Sequence, residues 1–293
     1  MDYLICCACG VQYDTRSARS CKICDDPRQY VPPEGQTWTT LREMQLSKKY
    51  TNVFHKDKYH SGIISIFTEP QFAIGQRAFL LCAGPVNILW DCITYIDDAT
   101  VKRIKDLGGI SAIAISHPHY YSSSLVWAEA FNCKVYLSLE DKSFLMRTGP
   151  AHVLFKGQQL ELPSDEFVVA KVGGHFPGSS VLWWKSERKL FISDSISVVP
   201  SGVYHENRPN YTASFTFMWS YPNMIPLPPD AVYDIWKAVA DFDFEDTHGA
   251  FWGKDTRGRS KERVLQSAQL FVTYMGHPKH AIHQEVVKHQ NQV

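Results

Sequence analysis

Apolar and polar residues follow two different rhythms along this chain. Between residues 63 and 92, short runs rich in β-branched and aromatic side chains, separated by Gly and Pro, predict antiparallel strands. Helices and strands then alternate, and are predicted over 98–109 (helix), 110–116 (strand), 122–131 (helix), 134–140 (strand) and from 141 (short helix). In the first of these helices, Asp98 is placed to cap the start and Gly108 to end the last turn.

The second half of the chain repeats this order. Strands are predicted over 153–157, 167–174, 180–185 and 189–195. Two helical stripes of apolar residues follow, formed by Val232, Ile235, Trp236 and Val239 and by Val264, Ala268, Phe271 and Met275. Because strands and helices occur twice in similar order, we predict an α/β fold of four layers, αββα, with two mixed sheets face to face and helices outside.

Four cysteines near the N-terminus form two close pairs. Cys6 and Cys9 are separated by two residues, and so are Cys21 and Cys24, which begin after a gap of eleven residues. Two intervening residues let a tight turn direct both sulfurs at one ion, and two such turns complete a tetrahedral shell. The spacing predicts a closed, structural zinc site, with iron as the alternative metal.

Turn-rich segments separate this motif from the rest of the chain. Residues 25–28 and 32–35 are rich in Asp, Pro and Gly, which favour turns. We therefore predict a zinc-ribbon-like module over residues 1–34 and a main domain over residues 35–293. Cys7 lies outside the spacing pattern and is not expected to bind the ion.

Composition and charge restrict the kind of partner. The 30 Lys and Arg residues balance 30 Asp and Glu residues, so the basic surplus that binding to nucleic acid requires is missing. The longest charge-free stretches contain histidine or several prolines, so we expect no membrane partner. The N-terminus lacks the pattern of a secretory signal, and we expect a cytoplasmic protein with reduced cysteines.

The strongest candidate for chemistry follows the strand predicted over 110–116. Residues i and i+2 of an extended segment face the same side, so His117 and His119 are directed at one ion. The alternative is a pair of surface or capping histidines. Three further residues are candidate ligands. His175 lies in a Gly-flanked turn, Asp194 at the end of a predicted strand and His248 after a predicted helix.

These motifs resemble the metallo-β-lactamase superfamily over roughly residues 40–275. The resemblance implies the αββα fold that the order of elements predicts. It also implies a role for each candidate residue, in chain order. Asp91 corresponds to a structural aspartate and His117 with His119 to the first histidine pair. His175 corresponds to the third ligand, Asp194 to a bridging carboxylate and His248 to the last histidine.

The chain departs from the superfamily at one point. Tyr121 and Ser122 stand where relatives usually have an Asp and a His that bind a second metal, and a phenol or hydroxyl stays protonated at neutral pH. We therefore predict one catalytic zinc, with Fe or Mn as alternatives. The predicted ligands are His117, His119 and His175, with Asp194 as the fourth and His248 nearby.

A mononuclear metal-bound hydroxide is the predicted nucleophile. Asp194 would orient or deprotonate the water, and Tyr120 or Tyr121 would donate to the oxyanion or leaving group. Packing at a helix start is the alternative role for Tyr121. His248 is either a distal ligand or a substrate contact, and Asp91 is expected to hydrogen-bond backbone and histidine without touching the metal.

Aromatic residues suggest what the substrate is. Residues 211–221 are densely aromatic, and Phe251 and Trp252 follow His248. Since loops here border the active site in the superfamily, we expect an apolar pocket for a small neutral molecule. The alternative, of equal weight, is that these rings are ordinary core.

The cysteine motif, residues 23–41 and residues 117–123 resemble a fungal and bacterial subgroup of the superfamily. This resemblance implies a γ-lactamase that opens benzoxazolinone-like cyclic carbamates. We predict a hydrolase of a small lactam, lactone or cyclic carbamate. The alternatives are a thioesterase like glyoxalase II, a mononuclear iron dioxygenase of the persulfide-oxidising kind, and a non-catalytic scaffold; a homodimer is left open.

Overall fold

A computed structural model describes residues 2–203, 209 and 212–287. The chain divides into two compact units, Met1–Lys156 and Gly157–Val293. Each unit has its own β-sheet and helices. The predicted boundary between residues 34 and 35 lies inside the N-terminal unit and stays a prediction.

The N-terminal unit is built on a seven-stranded sheet. Its elements are β1 (Leu4–Cys6), β2 (Trp38–Thr40), α1 (Leu41–Ser47), β3 (Thr51–Lys56), β4 (Ile63–Glu69), β5 (Arg77–Ala83), β6 (Val86–Trp90), α2 (Asp98–Asp106), β7 (Ala112–Ala114), α3 (Ser124–Phe131), β8 (Lys134–Ser138) and β9 (His152–Phe155). The sheet order is β3-β4-β5-β6-β7-β8-β9, antiparallel as far as β6 and parallel from there to β9. β1 and β2 form a separate antiparallel pair.

The central strands of this sheet are covered on both faces. Continuous apolar runs, in place of alternating ones, are typical of such strands. The buried side chains of β5 and β6 include Phe79, Leu80, Leu81, Ile88, Leu89 and Trp90. Their burial explains why these segments were recognisable as strands from sequence.

The cap of α2 differs from the prediction by one residue. Asp97, not Asp98, is the N-cap, and its Oδ1 accepts a hydrogen bond of 2.8 Å from Thr100 N. An N-cap side chain accepts a hydrogen bond from the backbone N–H three residues later. Asp97 is in position to do so for Thr100, whereas Asp98 is already part of the helix. The helix ends at Asp106, before Gly108, as predicted.

The C-terminal unit is built on a six-stranded sheet of order β10-β11-β12-β13-β18-β19. Its elements are β10 (Gln159–Leu162), β11 (Ser164–Lys171), β12 (Ser180–Trp184), β13 (Lys189–Phe191), β14 (Ser197–Val198), β15 (Phe215–Thr216), β16 (Met218–Ser220), β17 (Ile225–Pro226), α4 (Pro229–Val239), β18 (Asp246–His248), β19 (Asp255–Thr256) and α5 (Ser260–Tyr274). Both units also contain short 3-10 helices, at Pro118–Tyr120, Leu139–Phe144, Pro200–Val203 and Ala281–Gln284.

Both predicted helical stripes of this unit face its core. Val232, Ile235, Trp236 and Val239 of α4 are buried in one cluster with Val264 and Ala268 of α5. Phe271 packs against that cluster, whereas Met275 is the C-cap of α5. Among the described residues, no helix combines the length and apolarity needed to cross a bilayer.

Candidate metal centres

Four buried thiols of the N-terminal unit lie close together. The sulfur atoms of Cys6 and Cys24 are 3.6 Å apart, and so are those of Cys9 and Cys21. All four sulfurs lie within 4.8 Å of one another, and Cys7 is not part of the cluster. Four thiolates about 2.3 Å from a zinc ion would be about 3.8 Å from each other, so the donor set and its spacing fit zinc. The predicted four-cysteine cluster is confirmed.

The pKa values of these thiols are shifted in different directions. Contact with Cys24 lowers the pKa of Cys21 below its ordinary value, whereas burial raises the pKa of Cys9 well above its ordinary value. Metal ligation requires thiolates, so binding of a divalent ion would displace the remaining protons. Four thiolates favour a soft or borderline ion over Mg²⁺ or Ca²⁺.

His117 and His119 lie just beyond the end of β7. His117 has an extended backbone (φ −168°, ψ 173°), and Pro118 starts the one-turn 3-10 helix that contains His119. The ring centroids are 5.1 Å apart. The two side chains are therefore brought together as predicted, but by a turn and not by the alternation of an extended strand.

A hydroxyl group orients the first of these rings. Ser116 Oγ lies 2.9 Å from Nδ1 of His117. A partner on Nδ1 fixes the orientation of an imidazole and directs its Nε2 towards a metal. Both histidines are almost completely buried, which suits a site shielded from bulk water.

Asp91 connects the two strands that precede this pair. Its backbone N donates to Ala114 O at 2.8 Å, and its side-chain Oδ1 accepts from Ser116 N at 2.7 Å. The residue has a left-handed backbone (φ 62°), which Asp tolerates better than most residues do. The backbone contact predicted for Asp91 is therefore present.

In the C-terminal unit, His175 lies beside Asp194. His175 follows the turn after β11, and Asp194 lies three residues beyond the end of β13. Nε2 of His175 is 3.8 Å from Oδ2 of Asp194. Nδ1 of His175 is 3.2 Å from the backbone oxygen of Met218, so a proton on Nδ1 leaves Nε2 as the lone-pair nitrogen.

The turn before His175 requires glycine. Gly174 has a left-handed backbone (φ 83°), and a Cβ added there would lie 2.9 Å from Leu227 and 3.0 Å from Ile235. Both neighbours belong to the buried core, so a side chain at residue 174 would strain the left-handed backbone and displace the packed ends of Leu227 and Ile235.

A short hairpin supports both ligands of this unit. β16 supplies the Met218 carbonyl that faces His175. Tyr221, in the following turn, donates from its hydroxyl to Asp194 O at 2.8 Å. Burial, reinforced by the negative charge of Asp194, raises the pKa of Tyr221 well above its ordinary value, so the phenol remains a donor.

His248 lies on β18 and not in a loop after a helix. β18 runs parallel to β13, and the His248 ring stacks on Phe191 with centroids 4.8 Å apart. Nε2 of His248 is 3.4 Å from Arg257 Nη1, and Nδ1 is 3.8 Å from Asp255 Oδ1. Both ring nitrogens thus face charged groups of the same unit, and the role predicted for His248 stays a prediction.

Tyr120 and Tyr121 are both buried. The Tyr120 ring contacts that of His117, with centroids 5.3 Å apart. Tyr121 lines a small cavity together with Val11 and Gln12 of the cysteine module. Burial raises the pKa of Tyr121 well above its ordinary value, so its phenol stays protonated. The catalytic roles of both tyrosines stay predictions.

The aromatic segment divides between core and surface. Phe215 and Phe217 belong to the core of the C-terminal unit, so the core alternative holds for these two rings. Tyr211 lies outside the described residues. Trp252 is 53% exposed, so its ring is accessible at the surface.

Sequence reasoning missed several contacts that hold the candidate ligands. The Met218 carbonyl, the Tyr221 hydroxyl and the Arg257 guanidinium all belong to this group. So does Gln76, whose side-chain amide donates to His119 O at 3.1 Å. None of these residues stands near a ligand in sequence, and no local signal marked them.

Comparison with solved structures identifies the fold. DIM-1 metallo-β-lactamase superposes with a TM-score of 0.54 at 14% identity, covering 76% of this chain and 98% of that one. The mono-zinc form of the metallo-β-lactamase FIM-1 from Pseudomonas aeruginosa gives a TM-score of 0.51 at 15% identity, covering 76% of this chain and 96% of that one. The predicted metallo-β-lactamase fold is confirmed.

Comparison of sequences identifies the family. The chain belongs to the same family as the uncharacterized protein YmaE of Bacillus subtilis (strain 168), with 39% identity over 278 residues that cover 93% of this chain and 96% of YmaE. No model of a protein family matches the sequence.

Proposed function

We propose that this chain is a metal-dependent hydrolase with one catalytic ion. The proposed ligands are His117, His119, His175 and Asp194. The proposal is carried by one observation: in each unit, a buried histidine is held through Nδ1 next to a second side chain able to bind a metal. Ser116 contacts Nδ1 of His117, and Met218 contacts Nδ1 of His175. Histidines that bind metal through Nε2 are held in this way.

Several residues of this chain have separate proposed roles around the ion. A bound zinc ion would act as a Lewis acid and provide an ionised water at neutral pH. We assign Asp194 to orient that water and accept its proton. Tyr221 donates a hydrogen bond to the backbone oxygen of Asp194 and thereby helps to fix the position of this residue. Tyr120 and Tyr121, as neutral phenols, are proposed donors to the oxyanion or leaving group.

The residues after the histidine pair support a single ion. Ser122 donates its hydroxyl to Cys92 O at 3.0 Å, and Tyr121 is buried as a protonated phenol. Neither group is a good ligand in that state. The FIM-1 structure, described as a mono-zinc form, supports the view that this fold accommodates one zinc ion.

The proposed substrates are small neutral lactams, lactones and cyclic carbamates, with an aromatic cyclic carbamate as the most specific candidate. The support is the exposed Trp252, four residues after His248. An aromatic face in reach of a substrate ring would provide stacking energy of about 1 kcal/mol. Replacement of Trp252 by Ala is therefore expected to raise KM with little change in kcat.

Metal content and a substrate screen test the proposal. The purified chain would be analysed for zinc, iron and manganese, and assayed with small lactones, cyclic carbamates and thioesters. His119→Ala is expected to keep the fold, lose one ion and abolish turnover. His277→Ala, which changes an exposed histidine, is the matched control and should keep both ions and full activity.

Three outcomes would overturn the proposal. Turnover that survives His119→Ala removes the metal mechanism. A single ion, lost only when cysteines are replaced, indicates a scaffold without a catalytic metal. Iron together with oxygen uptake indicates an oxygenase.

A further inference from the structure

We infer that the four-cysteine module positions the metal ligand His119 through Gln76. Gln76 is 5% exposed and immediately precedes β5. Its Nε2 donates to Cys9 O at 2.7 Å and to His119 O at 3.1 Å. One buried amide thus joins the turn around a structural cysteine to the backbone of a proposed ligand. The inference rests on the proposed function, because it assigns His119 to a catalytic metal.

The module also holds the chain on the far side of the histidine pair. Gln12 N donates to Ser122 O at 3.0 Å. The Gln12 side chain is held in turn, since its Oε1 accepts a hydrogen bond of 2.5 Å from Arg147 Nη1. The chain around His119 is therefore connected to the module at two points, through Gln76 at His119 and directly at Ser122.

The first cysteine turn is bonded to the loop that follows β6. Thr94 Oγ1 donates to Gly10 O at 2.8 Å. A Cβ added to Gly10, whose backbone is left-handed (φ 82°), would lie 2.4 Å from Thr94 Oγ1. This close approach requires glycine and brings Cys9 O within reach of Gln76.

These contacts address a weakness of the histidine turn. Pro118–Tyr120 is a single 3-10 turn, and the hydrogen bonds of a 3-10 turn have poorer geometry than those of an α-helix. A metal ligand needs its position fixed within a fraction of an ångström. The metal-bound module supplies a rigid point of attachment, and Gln76 transmits that rigidity to His119 as a positioning residue.

Cobalt substitution separates the two centres. Co²⁺ at four thiolates gives strong thiolate charge-transfer absorption in the near ultraviolet, whereas Co²⁺ at histidines and a carboxylate gives weaker visible bands. Gln76→Met keeps the side-chain volume but removes both donors. It is expected to weaken Co²⁺ binding at the histidine site by roughly 10-fold and to shift the visible bands, as loss of supporting contacts around a metal ligand does. The thiolate absorption should not change.

Asn87 offers a matched control. Its buried Nδ2 also donates to two backbone carbonyls, Leu107 O at 2.9 Å and Gly109 O at 3.0 Å, in the same unit. Asn87→Leu should destabilise the fold to a similar degree but leave the visible bands and the Co²⁺ affinity unchanged. Equal effects of both variants would mean that Gln76 acts on stability alone.

Loss of the module's ion tests the source of the effect. Cys21→Ser keeps Gln76 but removes one thiolate, and it should shift the visible bands in the same direction as Gln76→Met. Unchanged bands and affinity in both variants would overturn the inference and leave the proposed function intact. A wild-type chain that binds Co²⁺ only at its cysteines would instead overturn the proposed function.

Discussion

Asp91 accepts a hydrogen bond of 2.7 Å from the backbone N of Ser116. The residue that follows β6 thereby holds the residue that precedes His117. Ser116 also contacts the His117 ring through its hydroxyl at 2.9 Å. The Asp91 carboxylate therefore positions the proposed metal ligand His117 through Ser116. The relationship joins residues 25 positions apart in the chain.

Asp91→Ala is expected to lower both stability and metal affinity. It leaves the buried Ser116 N without its acceptor, at a cost of about 1–3 kcal/mol. Ala also fits the left-handed backbone of residue 91 poorly. Asp91→Asn keeps an oxygen acceptor and tolerates that backbone, so it should restore most of the loss. Denaturant unfolding and metal titration measure the two effects; if Asn were as damaging as Ala, the negative charge and not the hydrogen bond would be the cause.

Neighbouring cysteines provide a test of the structural site. Cys6 belongs to the four-thiol cluster and Cys7 does not. Cys6→Ser should lose one zinc ion per chain and lower the melting temperature, because binding of a structural zinc contributes directly to folding. Cys7→Ser should retain the ion and the melting temperature. Zinc analysis after dialysis measures the ion content of both variants. An equal loss of zinc from the Cys6 and Cys7 variants would contradict the four-cysteine cluster.

Asp246 is expected to matter for stability. It accepts hydrogen bonds from Lys189 Nζ and, at 2.9 Å, from Gly258 N. Burial alone would raise the pKa of Asp246, but the hydrogen bonds from Lys189 and Gly258 and the positive charges of Lys189 and Arg257 together outweigh burial, and the pKa is lowered. Asp246→Asn therefore leaves the mostly buried ammonium of Lys189 without its carboxylate partner and should cost about 2 kcal/mol at pH 7.

An exposed ion pair is the control for that variant. Asp106 pairs with Lys102 at 2.6 Å, but both side chains are mostly exposed. Asp106→Asn should change the unfolding free energy by less than about 0.5 kcal/mol. Urea unfolding of both variants makes the comparison, and a loss at Asp246 as small as that at Asp106 would argue against a buried pair.

His152 should make stability depend on pH. Burial, followed by the charge of Arg147, lowers the pKa of His152 to about 4, from an ordinary value of 6.5. Neither ring nitrogen has a hydrogen-bond partner in the part of the chain that the structure describes. Between about pH 6.5 and pH 4, the unfolded chain binds a proton that the folded chain does not, so stability falls as the pH decreases through this window.

His152→Leu is expected to remove that contribution. Between pH 7 and pH 5 the variant should lose roughly 1 kcal/mol less stability than the wild type, a figure reduced to allow for partial exposure. Denaturant unfolding at both pH values measures the difference. His277→Leu, at an exposed position, should follow the wild type, and a His152 variant that also does so would rule out the effect.

Much of the fold could be predicted from local patterns. The stripes of α4 and α5 and the apolar strands β5 and β6 were recognisable because burial imposes a period on side chains close in sequence. β18 was missed because it is three residues long and carries no apolar run. Its place in the sheet depends on pairing with β13, which lies more than fifty residues earlier in the chain.

Sequence spacing by itself determined the cysteine cluster and the histidine pair. Two residues between the cysteines of each pair, and one residue between the histidines, place the side chains together through one turn of backbone. Only the tertiary structure decided how the histidines are held. Gln76 donates to His119 O, and Met218 O faces His175, in both cases across 43 residues. A backbone carbonyl is present at every position, so a sequence gives no sign of which one will accept such a bond; that choice is made when distant segments pack.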